Sequence, residues 1–132
     1  MNGDSVPCEE ILIRLISRRG DILPSGEAAP QVFMLRRNEQ RLSVFRKAIS
    51  DIGVCKAELR RTYGAATLHA GRVRTGSYPE GIEIDVVGAE GEGTNIPGHA
   101  ALTGLPDPIT AYESAERVAS ILRDQSRRIL VS

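Results

Sequence analysis

The chain has 132 residues, close to the usual size of one domain and too short for two ordinary ones. Apolar residues make up 41% and charged residues 26%, a composition typical of globular proteins rather than disordered chains. We therefore predict one domain over residues 1–132, with a loose start over residues 1–8. The sequence contains no run of roughly 20 apolar residues and no basic-then-apolar leader, so we expect a cytoplasmic protein without a membrane partner.

Opposite charges are concentrated in different parts of the sequence although the net charge is zero. Residues 36–74 hold ten basic and three acidic residues, whereas residues 75–116 hold eight acidic residues and no Lys or Arg. Such a division can attract a protein partner or favour self-association. The alternative is that the two blocks interleave in the fold and cancel in space. Arg outnumbers Lys by fifteen to two, which is typical of a GC-rich bacterial genome.

Three strands are predicted in the first third of the chain. Residues 10–17 (EILIRLIS) place apolar, β-branched residues on both alternating faces, which indicates a strand covered on both sides. Residues 18–30 are rich in Gly and Pro and predict a loop. Residues 31–36 (QVFMLR) and 42–46 (LSVFR) predict two further strands joined by a short hairpin.

The remaining elements alternate between helix and strand. Apolar residues spaced three and four apart predict a first helix, and they are Cys55, Leu59, Tyr63 or Thr62, Ala66, Ala70 and Val73. Strands are predicted at residues 82–86, where apolar and acidic residues alternate, and at residues 99–105, on either side of a Gly-rich acidic loop. The order βββ-α-ββ-α predicts an α+β fold, with a mostly antiparallel sheet of about five strands and two packed helices.

The C-terminal helix is predicted from a capping box and an apolar stripe. Thr110 occupies the cap position and Glu113 the position that reaches back to it. The stripe predicts the buried face of the helix, and its members are Tyr112, Ala115, Val118, Ala119, Leu122 and Ile129.

Three residues are candidates for ligand binding. Arg14 lies in an otherwise apolar strand, where a guanidinium is either paired or available to a ligand, and the simpler interpretation is a head group that reaches water. Ser43 interrupts an apolar strand and could be a nucleophile or a ligand contact, although a strand serine more often bonds a neighbouring carbonyl. His99 follows a Gly-rich loop and could be an acid–base group or a structural histidine.

The sequence does not predict a metal, a cofactor or a nucleic-acid partner. Cys8 and Cys55 match no zinc-ligand spacing and are expected to be free thiols, with Cys55 buried. A zinc site that combines them with His69 and His99 is disfavoured because no pair has local ligand spacing. The basic residues lack the aromatic or helix-turn-helix patterns of nucleic-acid binders.

The chain resembles a group of small, uncharacterised bacterial proteins associated with conflict and defence gene clusters. The residues that carry the resemblance are Leu12 to Leu15, Leu42-Ser43-Val44 and Pro97-Gly98-His99-Ala100. In that group proline and histidine are adjacent, whereas Gly98 separates them here. The resemblance implies an accessory role in such a system and implies no active site.

Two classes of function follow from these features. The first is a non-catalytic accessory or protein-interaction module, favoured by the absence of a dense catalytic motif and by the divided charge. The alternative is a small nucleotide-binding enzyme, because Arg14 and Ser43 resemble the phosphate-binding and ribose-supporting residues of ADP-ribosyltransferase sites, with Glu83 as the candidate catalytic acid. An enzyme would bring Arg14, Ser43 and His99 into one concave site. We expect instead that Arg14 is paired within the protein and that Ser43 and His99 lie on separate faces.

Overall fold

The computed structural model of the protein describes residues 3–58 and 62–129. Its strands are β1 (Ile11–Ile16), β2 (Leu42–Arg46), β3 (Gly64–His69), β4 (Asp85–Gly88), β5 (His99–Thr103) and β6 (Arg127–Ile129). Its helices are α1 (Ile52–Glu58), α2 (Ala70–Thr75) and α3 (Tyr112–Gln125), and short 3-10 turns lie at Arg19–Asp21, Pro30–Phe33 and Pro79–Gly81. No described helix is both long enough and apolar enough to cross a membrane.

The strands form one antiparallel sheet in the order β4-β5-β2-β1-β3-β6. The predicted α+β class is confirmed, with six strands rather than about five and three described helices rather than two. The central strand β1 pairs with β3 over all six of its residues. Its pairing with β2 covers only Leu12 with Arg46 and Ile13 with Phe45. The two strands therefore stop pairing after Ile13, and β1 continues to Arg14 without a partner residue on β2.

Alternation along the strands divides the buried residues between the two faces of the sheet. The main core includes Leu12, Leu42 and Val44 of the sheet together with Val118 and Leu122 of α3. A smaller cluster on the opposite face consists of Ile13, Phe45, Cys55, Ala65 and Ile96. Helix α1 contributes Cys55 to this smaller cluster, which leaves part of that face of the sheet without a helix over it.

The predicted strand at residues 31–36 is wrong. Residues Pro30–Phe33 form a 3-10 turn whose Val32 and Phe33 side chains are buried in the main core. Pro30 supplies the fixed φ that suits the first position of such a turn. A short apolar run does not distinguish a strand from a buried connection. The predicted hairpin to residues 42–46 is therefore also absent, whereas the strand over 42–46 is confirmed as β2.

The predicted helix through residues 55–73 is wrong over most of its length. Part of the segment is α1 and part is α2, but Ala66 lies in strand β3 between them. The alanines of β3 favour helix intrinsically, and pairing with both β1 and β6 overrides that preference. Leu59, which the prediction also included, lies outside the described residues.

The later predictions are closer to the structure. The strand predicted at residues 82–86 begins only at Asp85, although Ile84 and Val86 are buried as the alternation indicates. The strand predicted at residues 99–105 is confirmed as β5 and ends at Thr103. Gly104 follows with φ +88°, a conformation that interrupts the strand.

Helix α3 is confirmed, but its predicted cap is wrong. Ala115, Val118, Ala119 and Leu122 are buried on one face, as the stripe predicts. The cap residue is Ala111, and no side chain caps the helix. Thr110 and Tyr112 are exposed, and Ile129 lies beyond the helix in β6.

The two charge blocks interleave in the fold. Arg41 pairs with Glu92, and Arg74 with Asp85, so that in each pair a base from one block meets an acid from the other. Arg74 also donates to the backbone carbonyl of Val86 at 2.8 Å. The division of charge in the sequence is thus partly cancelled in space.

The start of the chain packs on the edge of the sheet. Residues 1–8 were expected to be loose, but among those described Ser5 bridges to Val87, and the Val6 amide donates to the Val86 carbonyl at 3.0 Å. The Val6 side chain is buried. Both cysteines are free as expected, with Cys55 buried and Cys8 exposed.

We expect Leu122→Ala to lower the free energy of unfolding by about 2–5 kcal/mol, because the side chain is fully buried in the main core. Thr110→Ala should change it by less than about 0.5 kcal/mol, since Thr110 is exposed and does not cap α3. Denaturant titration of both variants measures the difference. Equal losses would contradict this assignment of the cap and the core.

A second prediction concerns the ion pair that joins the start of β1 to the end of β2. The Arg46 Nε donates to Glu10 Oε1 at 2.6 Å, and this hydrogen bond lowers the pKa of Glu10 below its usual value of 4.5. The stabilisation is therefore complete above that value and is lost as the pH falls through the lowered pKa. Stability measured from pH 6 down to about pH 3 should fall less steeply in Glu10→Gln than in the wild type. Identical slopes in the two proteins would contradict it.

Candidate functional site

Ser43 and His99 meet on the face of the sheet that carries the smaller cluster. In the β2–β5 register Ser43 lies opposite Ala101, and Phe45 lies opposite His99. His99 is therefore the diagonal neighbour of Ser43, with its side chain on the same face. The Ser43 Oγ and the His99 Nε2 are 2.5 Å apart.

The backbone fixes the orientation and the proton positions of the His99 ring. Its Nδ1 lies 2.8 Å from the Ala89 carbonyl oxygen, which can only accept a hydrogen bond. Nδ1 therefore carries the proton, and in the neutral ring Nε2 is the acceptor. The Ser43 hydroxyl accordingly donates to Nε2. The Ala89 amide also donates to the His99 carbonyl at 2.9 Å, so that two hydrogen bonds hold these residues together.

Arg14 lies where the pairing between β1 and β2 stops. Its Nε donates to the Val32 carbonyl at 2.8 Å, and its Nη1 donates to the Ser43 carbonyl at 3.0 Å. The guanidinium thus takes the place that a strand amide would have beside Ser43. The expectation that its head group reaches water is wrong, because the residue is only 8% exposed.

Arg14 is a buried cation whose hydrogen-bond partners are neutral. Of the described Arg, Lys, Asp and Glu side chains, it alone is buried, and no described carboxylate forms an ion pair with it. Burial lowers the pKa of the guanidinium to about 10, an effect that the negative charge of Glu39 opposes. The group is still charged at neutral pH. Two of its five N–H groups bond to the carbonyls, which leaves others to bind a ligand.

The three candidate residues line one cleft of about 360 Å³, which we call the central cleft. The expectation that Ser43 and His99 lie on separate faces is therefore wrong. It failed because it treated the hydroxyl and the imidazole as unrelated features, whereas the β2–β5 register makes them neighbours. A second groove of about 350 Å³ adjoins the central cleft and is also lined by Ser43 and His99.

Other charged groups of the central cleft are already partnered. The Glu92 carboxylate forms an ion pair with Arg41. Glu39 accepts from the Arg36 backbone amide at 2.6 Å, and Arg36 Nη2 donates to the Ser17 hydroxyl at 3.0 Å. Arg14 differs from these residues because its charge is buried and no described acid offsets it through a direct contact.

Sequence reasoning missed the backbone groups that complete the site. The backbone carbonyls of Val32 and Ala89 hold Arg14 and His99 in place. Because every residue carries a backbone carbonyl, the residue types at positions 32 and 89 do not indicate this role. Gly98 was noted only because it separates Pro97 from His99. Its φ of +83° turns the chain into β5, and its carbonyl accepts from the Arg46 amide at 2.8 Å.

The other candidate groups lie elsewhere. Cys55 is in the smaller cluster, and Cys8 lies near the start of α2, where its thiol accepts from Arg74. Within the described ranges, no group of three or more His, Cys, Asp or Glu is placed to hold a metal ion. Glu83 precedes β4 and does not line the central cleft.

Comparison of the chain with protein-family models, curated proteins and solved structures finds no match. The functional argument therefore depends on the geometry of the central cleft.

We expect Gly98→Ala to lower the free energy of unfolding by about 1–3 kcal/mol, the range for a residue forced into left-handed backbone. A Cβ at this position would also lie 2.8 Å from the Ile49 Cβ. Gly20→Ala is the matched control, because a Cβ there meets no atom within 4 Å. Denaturant titration should show a loss for Gly98→Ala that is clearly greater than for Gly20→Ala. Equal values would mean that Gly98 is not required for the entry into β5.

Proposed function

We propose that the protein binds a small phosphorylated ligand, with nucleotides as the first class to test, in the central cleft. The observation that carries the proposal is the convergence of Arg14, Ser43 and His99 around a buried guanidinium without a carboxylate partner. A buried charge is normally paired, so an unpaired one that lines a cleft favours a charged ligand.

The chemistry of the cleft suits a phosphate group. A guanidinium offers several donors in one plane and binds phosphate oxygens in pairs. The burial of the guanidinium strengthens this attraction, because the effective dielectric constant around it is lower than in bulk solvent. The cleft volume of about 360 Å³ lies within the range of small-molecule sites.

An ADP-ribosyltransferase-like reaction has less support than binding itself. Such a site would need a catalytic carboxylate beside the ligand, and the candidate Glu83 does not line the central cleft. The carboxylates that do line it, Glu39 and Glu92, are bonded to the Arg36 amide and to Arg41. Ser43, which was considered as a support for ribose, instead donates to His99. The proposal is therefore nucleotide or phosphate binding, and it does not include ADP-ribosyl transfer.

A protein-interaction module is the second candidate function. Ile109 is 73% exposed in the turn before α3, and Tyr112, the first residue of α3, is 58% exposed. Large apolar side chains so exposed, and so close in sequence, favour contact with a protein partner or a second copy of the chain. The divided charge supports this candidate less than the sequence indicates, because Arg41 and Arg74 are paired with acids of the other block.

Calorimetric titration with ATP, NAD⁺ and inorganic pyrophosphate tests the proposal. We expect at least one of them to bind the wild type with a Kd below about 100 μM, which corresponds to roughly −5.5 kcal/mol. Arg14→Gln should weaken this binding at least about 10-fold, because it removes the charge from the hydrogen bonds to the ligand. Arg72→Gln is the control, since Arg72 is exposed and does not line the central cleft.

Adenosine distinguishes phosphate recognition from base recognition. It should bind more weakly than ATP if Arg14 holds the phosphates. Absence of binding by the whole panel would contradict the proposal and favour the interaction module. Sedimentation of the wild type and of Ile109→Ser would then measure self-association.

A further inference from the structure

The contacts of Ser43 and His99 are those of a nucleophile and its general base. The hydroxyl donates to Nε2, and the opposite ring nitrogen is held by the Ala89 carbonyl. A nucleophilic serine needs a base within hydrogen-bond reach and a third group that orients this base. All three parts are present, with a backbone carbonyl in the position that a carboxylate takes in a catalytic triad.

We infer that Ser43 is the nucleophile, and His99 the general base, of a site that hydrolyses carboxylic esters bearing an anionic group. The ester hydrolysis is argued from the Ser43–His99 pair. The anionic group of the substrate rests on the proposed function, because Arg14 would bind it.

The open space around Ser43 supports this role. Ser43 lines both the central cleft and the adjoining groove, so a substrate can reach it and its leaving group has open space to depart. A serine whose hydrogen bond is only structural needs no such access. Phe45, whose ring centroid lies 5.3 Å from that of His99, packs beside the imidazole and limits its movement.

The reaction balances with water as the second substrate. Ser43 Oγ forms a bond to the ester carbonyl carbon while its proton passes to His99 Nε2, and collapse of the tetrahedral intermediate breaks the bond to the leaving alcohol oxygen. His99 gives its proton to that oxygen. Water then attacks the acyl-serine and transfers a proton to Nε2. The acid is released, and the Ser43 oxygen recovers its proton from His99.

Arg14 lies close enough to Ser43 to bind the anionic group of the same substrate whose ester Ser43 attacks. Its guanidinium bonds to the Ser43 carbonyl at 3.0 Å, which places the cation next to the main chain of the nucleophile. A phosphate or carboxylate held by Arg14 would therefore lie on the same small molecule as the ester that Ser43 attacks. This arrangement favours an anionic ester over a neutral one of the same size.

The first experiment uses a biotin-labelled alkyl fluorophosphonate, which tests the nucleophile without an anionic substrate. Attack by Ser43 Oγ forms an oxygen–phosphorus bond and releases fluoride, while the serine proton passes to His99. We expect one probe per chain, located on the peptide that contains Ser43 by mass spectrometry. The wild-type peptide map identifies the nucleophile even where a variant fails to fold.

Variants then separate a catalytic pair from a structural hydrogen bond. Ser43→Ala should abolish labelling, and His99→Gln should slow it by about 10²–10⁴-fold, the usual contribution of a general base. Ser77→Ala is the control, because Ser77 is exposed and lies outside the central cleft. It should be labelled at the wild-type rate. Circular dichroism of each variant establishes that it is folded.

The second experiment compares the hydrolysis of 4-nitrophenyl acetate with that of the mono-4-nitrophenyl ester of succinic acid, which carries a carboxylate. We expect kcat/KM for the anionic ester to exceed that for the neutral ester by at least about 10-fold. Arg14→Gln should abolish this preference, which is measured as the ratio of the two kcat/KM values within the same folded variant.

The outcomes separate this inference from the proposed function. Failure of the fluorophosphonate to label Ser43, with nucleotide binding still observed, would overturn the nucleophile and keep the proposed binding function. Labelling of Ser43 without a preference for the anionic ester would overturn the substrate class. If Ser43 is labelled but nucleotides do not bind, the proposed function is overturned and the assignment of Ser43 as nucleophile is supported.

Discussion

The guanidinium of Arg14 is the interaction on which both the sheet and the cleft depend. It enters the space where β1 and β2 are not paired, and it donates to the carbonyls of Val32 and Ser43. A buried carbonyl without a donor costs about 1–3 kcal/mol, so an apolar side chain at this position would leave the two carbonyls without these hydrogen bonds. Because the two contacts join β1 to β2 and to the turn at Pro30–Phe33, the same side chain stabilises the packing and carries the unpaired charge of the site.

The positions of Ser43 and His99 follow from the topology of the sheet. Strand β2 lies between β1 and β5 in the sheet, although the 52 residues from 47 to 98 separate the end of β2 from the start of β5 in the sequence. This arrangement brings a serine from one strand beside a histidine from another and places both next to Arg14. Helix α1 covers only part of this face of the sheet, and the uncovered part is the central cleft. The site therefore exists because the two faces are unequally covered, with the larger helix α3 on the opposite side.

The sequence predicted the elements whose pattern is local and missed those decided by distant pairing. The α3 stripe depends on neighbouring residues, and four of its members were predicted correctly, namely Ala115, Val118, Ala119 and Leu122, whereas Tyr112 is exposed and Ile129 lies in β6. The strand over residues 42–46 was also predicted correctly. Ala66 was assigned to a helix because its spacing from Cys55 fits one, whereas pairing with β1 determines its structure. Arg14, Ser43 and His99 were identified one by one from their chemical types. Their convergence could not be predicted, because it depends on strand order, which no short segment encodes.

The carbonyl that orients His99 has a consequence for how this site can change by mutation. A carboxylate in that position could be lost through one amino-acid substitution, but every amino acid that replaces Ala89 carries the same backbone oxygen. The orientation of the imidazole depends instead on the ten-residue separation between Ala89 and His99, and on the turn that returns the chain to β5. A point substitution at position 89 therefore does not remove the acceptor atom, although Ala89 is fully buried and a larger side chain would displace it. Insertion or deletion within the intervening loop would also move it. The orientation of His99 therefore depends more on the length of this loop than on the side chain at position 89.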